Sequence, residues 1–163
     1  MNVHLAKKAL ADALNHVERI IPSRSSNPGT NLLRIEAADD VVRLTGTNLE
    51  LDIETTIAAD VPTAGTHAVP AHVFAQVVRA LPGDEVTMNE ADSELKVTSG
   101  EYATRLQVVD PANAPRLTFP ETFDGHLPAS AFAESLARVR YAAAVAEYQA
   151  IFRGVKLELG AER

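Results

Sequence analysis

The residues able to do chemistry are scattered in this sequence, and their spacing argues against most reactions. The five histidines, His4, His16, His67, His72 and His126, have no metal-ligand spacing and read as surface residues. Asp39-Asp40 precedes a predicted strand and reads as a solvated turn, not as a carboxylate pair for acid–base work. Ser25-Ser26 and Ser130 lack a neighbouring base and read as turn and helix-start residues. The eight glycines are dispersed and form no phosphate-cradling loop. With no cysteine there is neither a thiolate metal site nor a disulfide framework, which fits a reducing compartment. No catalytic residue, metal or cofactor is expected. What stands out instead is a cationic helix face, on which His72, Gln76 and Arg79 share one side of a predicted helix that carries no carboxylate of its own. Such a face can bind anions.

The helix that positions those residues organises the chain. Pro70 suits a first turn, where its missing N–H has no partner to lose, and Pro82 bounds the other end. Phe74, Val77, Val78 and Leu81 follow the i, i+3, i+4, i+7 spacing of a buried stripe. The same signature returns in Leu127-Pro128-Ala129-Ser130-Ala131-Phe132-Ala133, where Pro, Ala, Phe and Ala recur at an offset of 58. A fainter echo sets Leu5, Leu10, Ala11 and Leu14 64 positions before Val69, Phe74, Ala75 and Val78. Three copies of one helix are expected.

The first copy spans about Ala6 to Ile21, with Leu10, Leu14, Val17 and Ile21 inward and Lys8, Asp12, Asn15 and Arg19 outward. Strands are expected near Asn31–Ala37, Val41–Thr45 and Leu49–Ile57, the last with Leu49, Leu51 and Ile53 on its buried face. A loop around Pro62–Gly65 leads to a second module, with strands near Thr66–Val69, Glu85–Asn89, Glu94–Ser99 and Tyr102–Val109. Asp110–Pro120 has the composition of an interdomain linker. A third module would hold a helix near Ala129–Ala144 and a strand near Ile151–Leu159. Its apolar residues Phe132, Leu136, Val139, Phe152, Val155 and Leu157 need strands that the sequence does not contain, so a fragment is expected.

The net charge of −7 hides a segregation. Met1–Arg24 carries +2 and Val69–Gly83 +1, while Glu36–Asp60 carries −6 and Asp84–Glu101 −5. Helical segments are basic and strands acidic. At 163 residues and 46% hydrophobic content the chain can bury a core. No apolar run approaches the roughly 20 residues of a membrane helix, and no signal-peptide core opens the chain, so a soluble cytoplasmic protein is expected.

Taken in register, several segments resemble the bacterial DNA polymerase III beta-subunit (sliding-clamp) family. Ser23-Arg24 followed by Asn31-Leu32-Leu33 is similar to the family's Ser-Arg and Asn-Leu-Leu segment. Thr45-Gly46-Thr47-Asn48-Leu49-Glu50 is close to its Thr-Gly-Thr-Asp-Leu-Glu. Val69-Pro70-Ala71, Phe74, Arg79 and Leu81-Pro82 match its second helix, and Ser99-Gly100 and Gly154 fall in line.

The resemblance implies an α+β fold of the processivity-clamp type, with domains built from two strand-helix-strand repeats and helices on one face of antiparallel sheets. Residues 1–119 would form a first domain, from modules 1–60 and 66–109 and a linker 110–120. Residues 121–163 would begin a second domain, left incomplete, with a third absent. The implied function is non-catalytic: two full-length chains close head to tail around duplex DNA, near the nucleoid, and tether the polymerase. Arg24, His72 and Arg79 would face DNA, and the helix-face argument adds Lys8, Arg19, Arg138 and Arg140. Contacts would go to phosphates and not to bases. Phe152 falls where the family has a leucine of its pocket for short peptide motifs of the polymerase and clamp loader. Thr104, in place of an aromatic, and Leu106 would lie at the ring interface. A competing reading makes Arg24, His72 and Arg79 the anion site of a small-molecule enzyme or lid domain, and a third makes the chain a partner-binding scaffold.

Overall fold

A computed structural model describes residues 1–27, 29–123, 125–145, 151–158 and 160. The chain divides into two compact units, Met1–Thr118 and Phe119–Arg163.

In the first unit the elements run β1 (Asn2–Ala6), α1 (Lys7–Glu18), β2 (Leu32–Ala38), β3 (Val41–Thr47), β4 (Asp52–Ala58), β5 (Asp60–Thr63), β6 (Gly65–Pro70), α2 (Ala71–Ala80), β7 (Glu85–Ala91), β8 (Glu94–Ser99) and β9 (Tyr102–Gln107). They form two antiparallel sheets, one ordered β5-β1-β7-β8-β9 and the other β4-β3-β2-β6. Each strand-helix repeat sends its leading strand into the other repeat's sheet. Leu5 of β1 lies opposite Val86 of β7, and Val69 of β6 lies opposite Leu33 of β2.

The two expected helix stripes are buried, with Leu10, Leu14 and Val17 of α1 and Phe74 and Val78 of α2 in a core with Leu33, Ile35, Leu44, Met88 and Leu95. Each such side chain contributes about 1.5–3 kcal/mol by leaving water. The offset of 64 is structural, because it carries β1–α1 onto β6–α2. Pro70 ends β6 immediately before α2, and Leu81 closes the core beyond the helix. One close approach fixes the packing of α1 on β3. A Cβ on Gly46 would lie 2.6 Å from Ile21 Cδ1 and 2.7 Å from Val17 Cγ1, so only glycine leaves room there.

The opposite face of the second sheet is polar. Arg43 lies 3.2 Å from Glu36 and 3.5 Å from Glu54, a ladder of cross-strand charges open to solvent.

Four expectations for the first unit need correction. Leu49 and Leu51 are not on a buried strand face: they are 64% and 51% exposed, and β4 starts only at Asp52. Their backbone N–H groups are taken locally, Leu49 by Thr47 Oγ1 and Leu51 by Asn48 Oδ1, and Leu49 has φ 74°. A turn held by side-chain acceptors has displaced the start of the strand. The loop expected around Pro62 contains β5, an edge strand on β1, where a residue without N–H is tolerated. His67 is buried, not superficial, because its strand turns it inward beside Glu90, whose Oε2 lies 2.9 Å from its Nε2. Part of the expected linker is folded, since Pro111–Asn113 forms a 3-10 turn, Ala114 is buried and Arg34 donates to the Pro111 carbonyl.

The second unit contains α3 (Ala129–Val139), continued by a 3-10 turn at Arg140–Ala142, so the α-helix stops short of Ala144. Residues 151–158 form no strand, against expectation, for want of a neighbouring strand to pair with among the described residues; position 159, the end of that expected strand, lies outside them. No described residue of α3 is buried. Among the described residues, no helix is long and apolar enough to cross a membrane.

Candidate nucleic-acid interface

The helices α1 and α2 pack side by side, and their outer faces join into one surface. The apolar stripes turn inward onto the sheets, and what remains outside includes Lys8, Asp12, Asn15, His16 and Glu18 of α1, Arg19 at its C-cap, and His72, Val73, Gln76 and Arg79 of α2. Arg24 stands exposed in the turn after α1. A shallow depression of about 400 Å³ lies between the helices, bordered by Asn15, Glu18, Arg19, Ser23, His72 and Arg79.

Its centre is an ion-pair cluster. Glu18, with a side chain 15% exposed, accepts from both Arg79 guanidinium Nη atoms and lies 2.9 Å from His72 Nδ1. Asn15 Oδ1 accepts from Arg79 Nη2 at 3.0 Å. His72 Nε2 lies 3.0 Å from the carbonyl of Ile21, just past the end of α1. Carboxylate and carbonyl are both acceptors, so whichever ring nitrogen carries hydrogen donates into this cluster. Burial pushes the Glu18 carboxyl up, but hydrogen bonds and charges from Arg79 and His72 outweigh it, holding it below the ordinary carboxylate value.

The remaining cations differ in their freedom. Lys8 lies 3.5 Å from Asp12, one turn on, with both side chains largely in solvent. Lys7 reaches away to the Leu81 carbonyl. Among the described residues, Arg19 and Arg24 have no carboxylate partner. The first unit therefore brings Arg19, His72 and Arg79 together around one depression, the last two bound to Glu18, with Arg24 in the turn beyond α1 and Lys8 at the far end of that helix.

Glu18 was not singled out in the sequence. It flanks the α1 stripe, three residues after Asn15, and its meaning depends on which side α2 packs; nothing local to α1 reveals that.

The other named residues lie elsewhere. Thr104 is half-buried and Leu106 9% exposed on β9, which pairs with β8 and has no strand on its far side among the described residues. In the second unit, Arg138 pairs with Glu134 at 2.5 Å, one turn back on α3, Arg140 is exposed, and Phe152 is 66% exposed.

Residues 1–118 match the family model for the DNA polymerase III beta subunit, N-terminal domain. The chain belongs to the DNA polymerase III beta-subunit family. The beta sliding clamp of Synechococcus elongatus is 32% identical over 165 residues, covering 98% of this chain and 44% of its own length. That of Halalkalibacterium halodurans is 28% identical over 156 residues, covering 90% of this chain and 41% of its own length. The chain thus spans less than half of either relative. Among solved structures, the beta subunit from the DNA polymerase of Streptococcus pyogenes has a TM-score of 0.86 at 24% identity, over 93% of this chain and 42% of that one. The DNA polymerase sliding clamp of Bacillus subtilis has a TM-score of 0.84 at 22% identity, over 93% and 42%. The beta-subunit fold is therefore that of this chain: α+β, helices on one side of antiparallel sheets.

Proposed function

We propose that this chain is the N-terminal part of a sliding clamp, a protein that encircles duplex DNA and tethers the replicative polymerase without chemistry of its own. What supports the reading is the joined α1–α2 surface, where Lys8, Arg19, His72 and Arg79, with Arg24 in the adjoining turn, outnumber Asp12 and Glu18, while the acidic residues Glu36, Asp52 and Glu54 sit on strands behind it. A cationic inner wall with an acidic exterior attracts a duplex into the hole and disfavours binding on the outside. Long side chains on helices laid across a duplex reach phosphates, not base edges, which suits movement over any sequence. The relatives named above as beta sliding clamps support the same reading.

Within it, residues 1–119 form the first clamp domain and 121–163 the beginning of a second, with Arg138 and Arg140 adding to the cationic wall. Two full-length chains close a ring in which the free edge of β9, with Thr104 and Leu106, contacts the neighbouring chain. Phe152 contributes to a pocket for short peptide motifs of the polymerase and the clamp loader. The protein works in the cytoplasm, at the nucleoid.

The deciding experiment loads the full native product onto closed circular DNA with its loader, washes, and then linearises the circle. Release only after cutting is expected, because a ring is held by topology. Retention after cutting would overturn the clamp reading in favour of direct attachment.

A further inference from the structure

A face that binds phosphates gains nothing from a carboxylate at its centre, yet Glu18 sits there, largely buried and bound to both Arg79 and His72 of α2. Arg79 keeps 46% of its side chain exposed, so its guanidinium is held on one side and open on the other. The depression beside it has room for a further oxyanion without disturbing the core. A carboxylate offers a guanidinium two oxygens in a plane, much as a phosphate does.

We propose that Glu18 is a tethered competitor for Arg79, a stand-in for phosphate that keeps this contact with DNA weak and quickly exchanged. This rests on the duplex-DNA reading above and adds to it. When Arg79 turns from Glu18 to a phosphate, it gives up one oxyanion to gain another. The combined charge of Arg79 and Glu18 is zero in either position, so the exchange displaces few counterions and adds little to affinity. Arg19 and Arg24, which have no carboxylate partner among the described residues, carry the salt-dependent attraction. A ring that must move along the duplex profits from contacts that break as readily as they form. His72, held by the same carboxylate and by the Ile21 carbonyl, fixes Glu18 where Arg79 can return to it.

The test is Glu18→Gln in the full native product, with equilibrium binding to a short duplex followed by fluorescence anisotropy across a salt series. A thermal melt verifies folding. The amide keeps the shape and removes the charge. Binding should tighten, and the plot of log K against log salt should steepen by up to about 0.9, the value of one added phosphate contact. On an Arg79→Ala background the same change should do much less. Glu18→Ala carries the same expectation and serves if the glutamine variant does not fold. If Glu18→Gln leaves affinity and slope unchanged while Arg19→Ala and Arg24→Ala weaken binding, the competitor role is wrong and the duplex reading stands. If none of these changes affects binding, the duplex reading itself falls, and this inference with it.

Discussion

The same short signature, Pro-Ala-x-x-Phe-Ala, opens α2 and α3, and the two helices have opposite fates. Phe74 of α2 is fully buried, whereas Phe132 of α3 is 36% exposed and α3 buries no described residue. Both prolines stand just before the helix with nearly the same backbone, φ −58° and ψ 114° at Pro70, φ −61° and ψ 119° at Pro128. Helix formation is thus written locally, in a proline start and a periodic stripe. Burial is not: the stripe of α2 meets two sheets built from strands on both sides of it in sequence, and α3 has no such strands among the described residues.

The comparison can be broken at its strongest point. Phe74→Ala should cost about 3–5 kcal/mol, seen as a lower midpoint in chemical denaturation, because it empties the centre of a closed core. Phe132→Ala in the same 163-residue chain should change the first unit's midpoint by less than about 0.5 kcal/mol. Equal losses would mean that α3 is as well packed as α2.

The close contact of helix and sheet offers a second test, one that has no counterpart at α3. Gly46→Ala should destabilise the first unit by about 1–3 kcal/mol, since the new Cβ would overlap Ile21 and Val17. Gly154→Ala, with no atom within 4 Å of its added Cβ, should be close to neutral. Thermal melts of the two variants provide the contrast.

Ion pairing differs between the regions in the same sense. Glu18 bridges α1 to α2, whereas Glu134 pairs with Arg138 on its own helix. Because the folded state lowers the Glu18 carboxyl, its contribution is present above the ordinary glutamate value near 4.5 and is lost as pH falls through the lower folded value. The Tm difference between the native chain and Glu18→Gln should therefore be largest near neutrality and vanish in acid. A difference that persists at low pH would show that shape, not charge, is what Glu18 supplies. Among the ion-pair changes the smaller effect is expected for Glu134→Gln, an exposed pair one turn apart worth about 0.3–0.5 kcal/mol, readable only from repeated denaturation curves.

What could be read from the sequence follows the same division. The stripes of α1 and α2, the strands β2, β3, β7, β8 and β9 and the helix repeat were legible because each is a short-range pattern. Leu49 and Leu51 misled because alternation continued through a turn whose hydrogen bonds to Thr47 and Asn48 are stronger determinants than hydrophobicity. Pro62 concealed β5, since its exclusion from strands holds for central positions and not for edges. The cationic residues of the helical face were legible from helical spacing, but Glu18 was not. Its role depends on the docking of α2 against α1, a contact between residues such as Glu18 and Arg79 that lie far apart in the chain.

The exchange of leading strands sets a schedule for biosynthesis. β1 is made well before its partner β7, with which it pairs through Leu5 and Val86 and which follows about 80 residues later. At roughly 5–20 residues per second that is about 4–16 s. During this interval β1 has only the short edge strand β5 to pair with, and Val3 and Leu5, both buried in the finished fold, still lack the β7 side of their sheet. The first half of the unit cannot finish folding ahead of the second, so the nascent chain must be kept from pairing elsewhere until the last strands emerge.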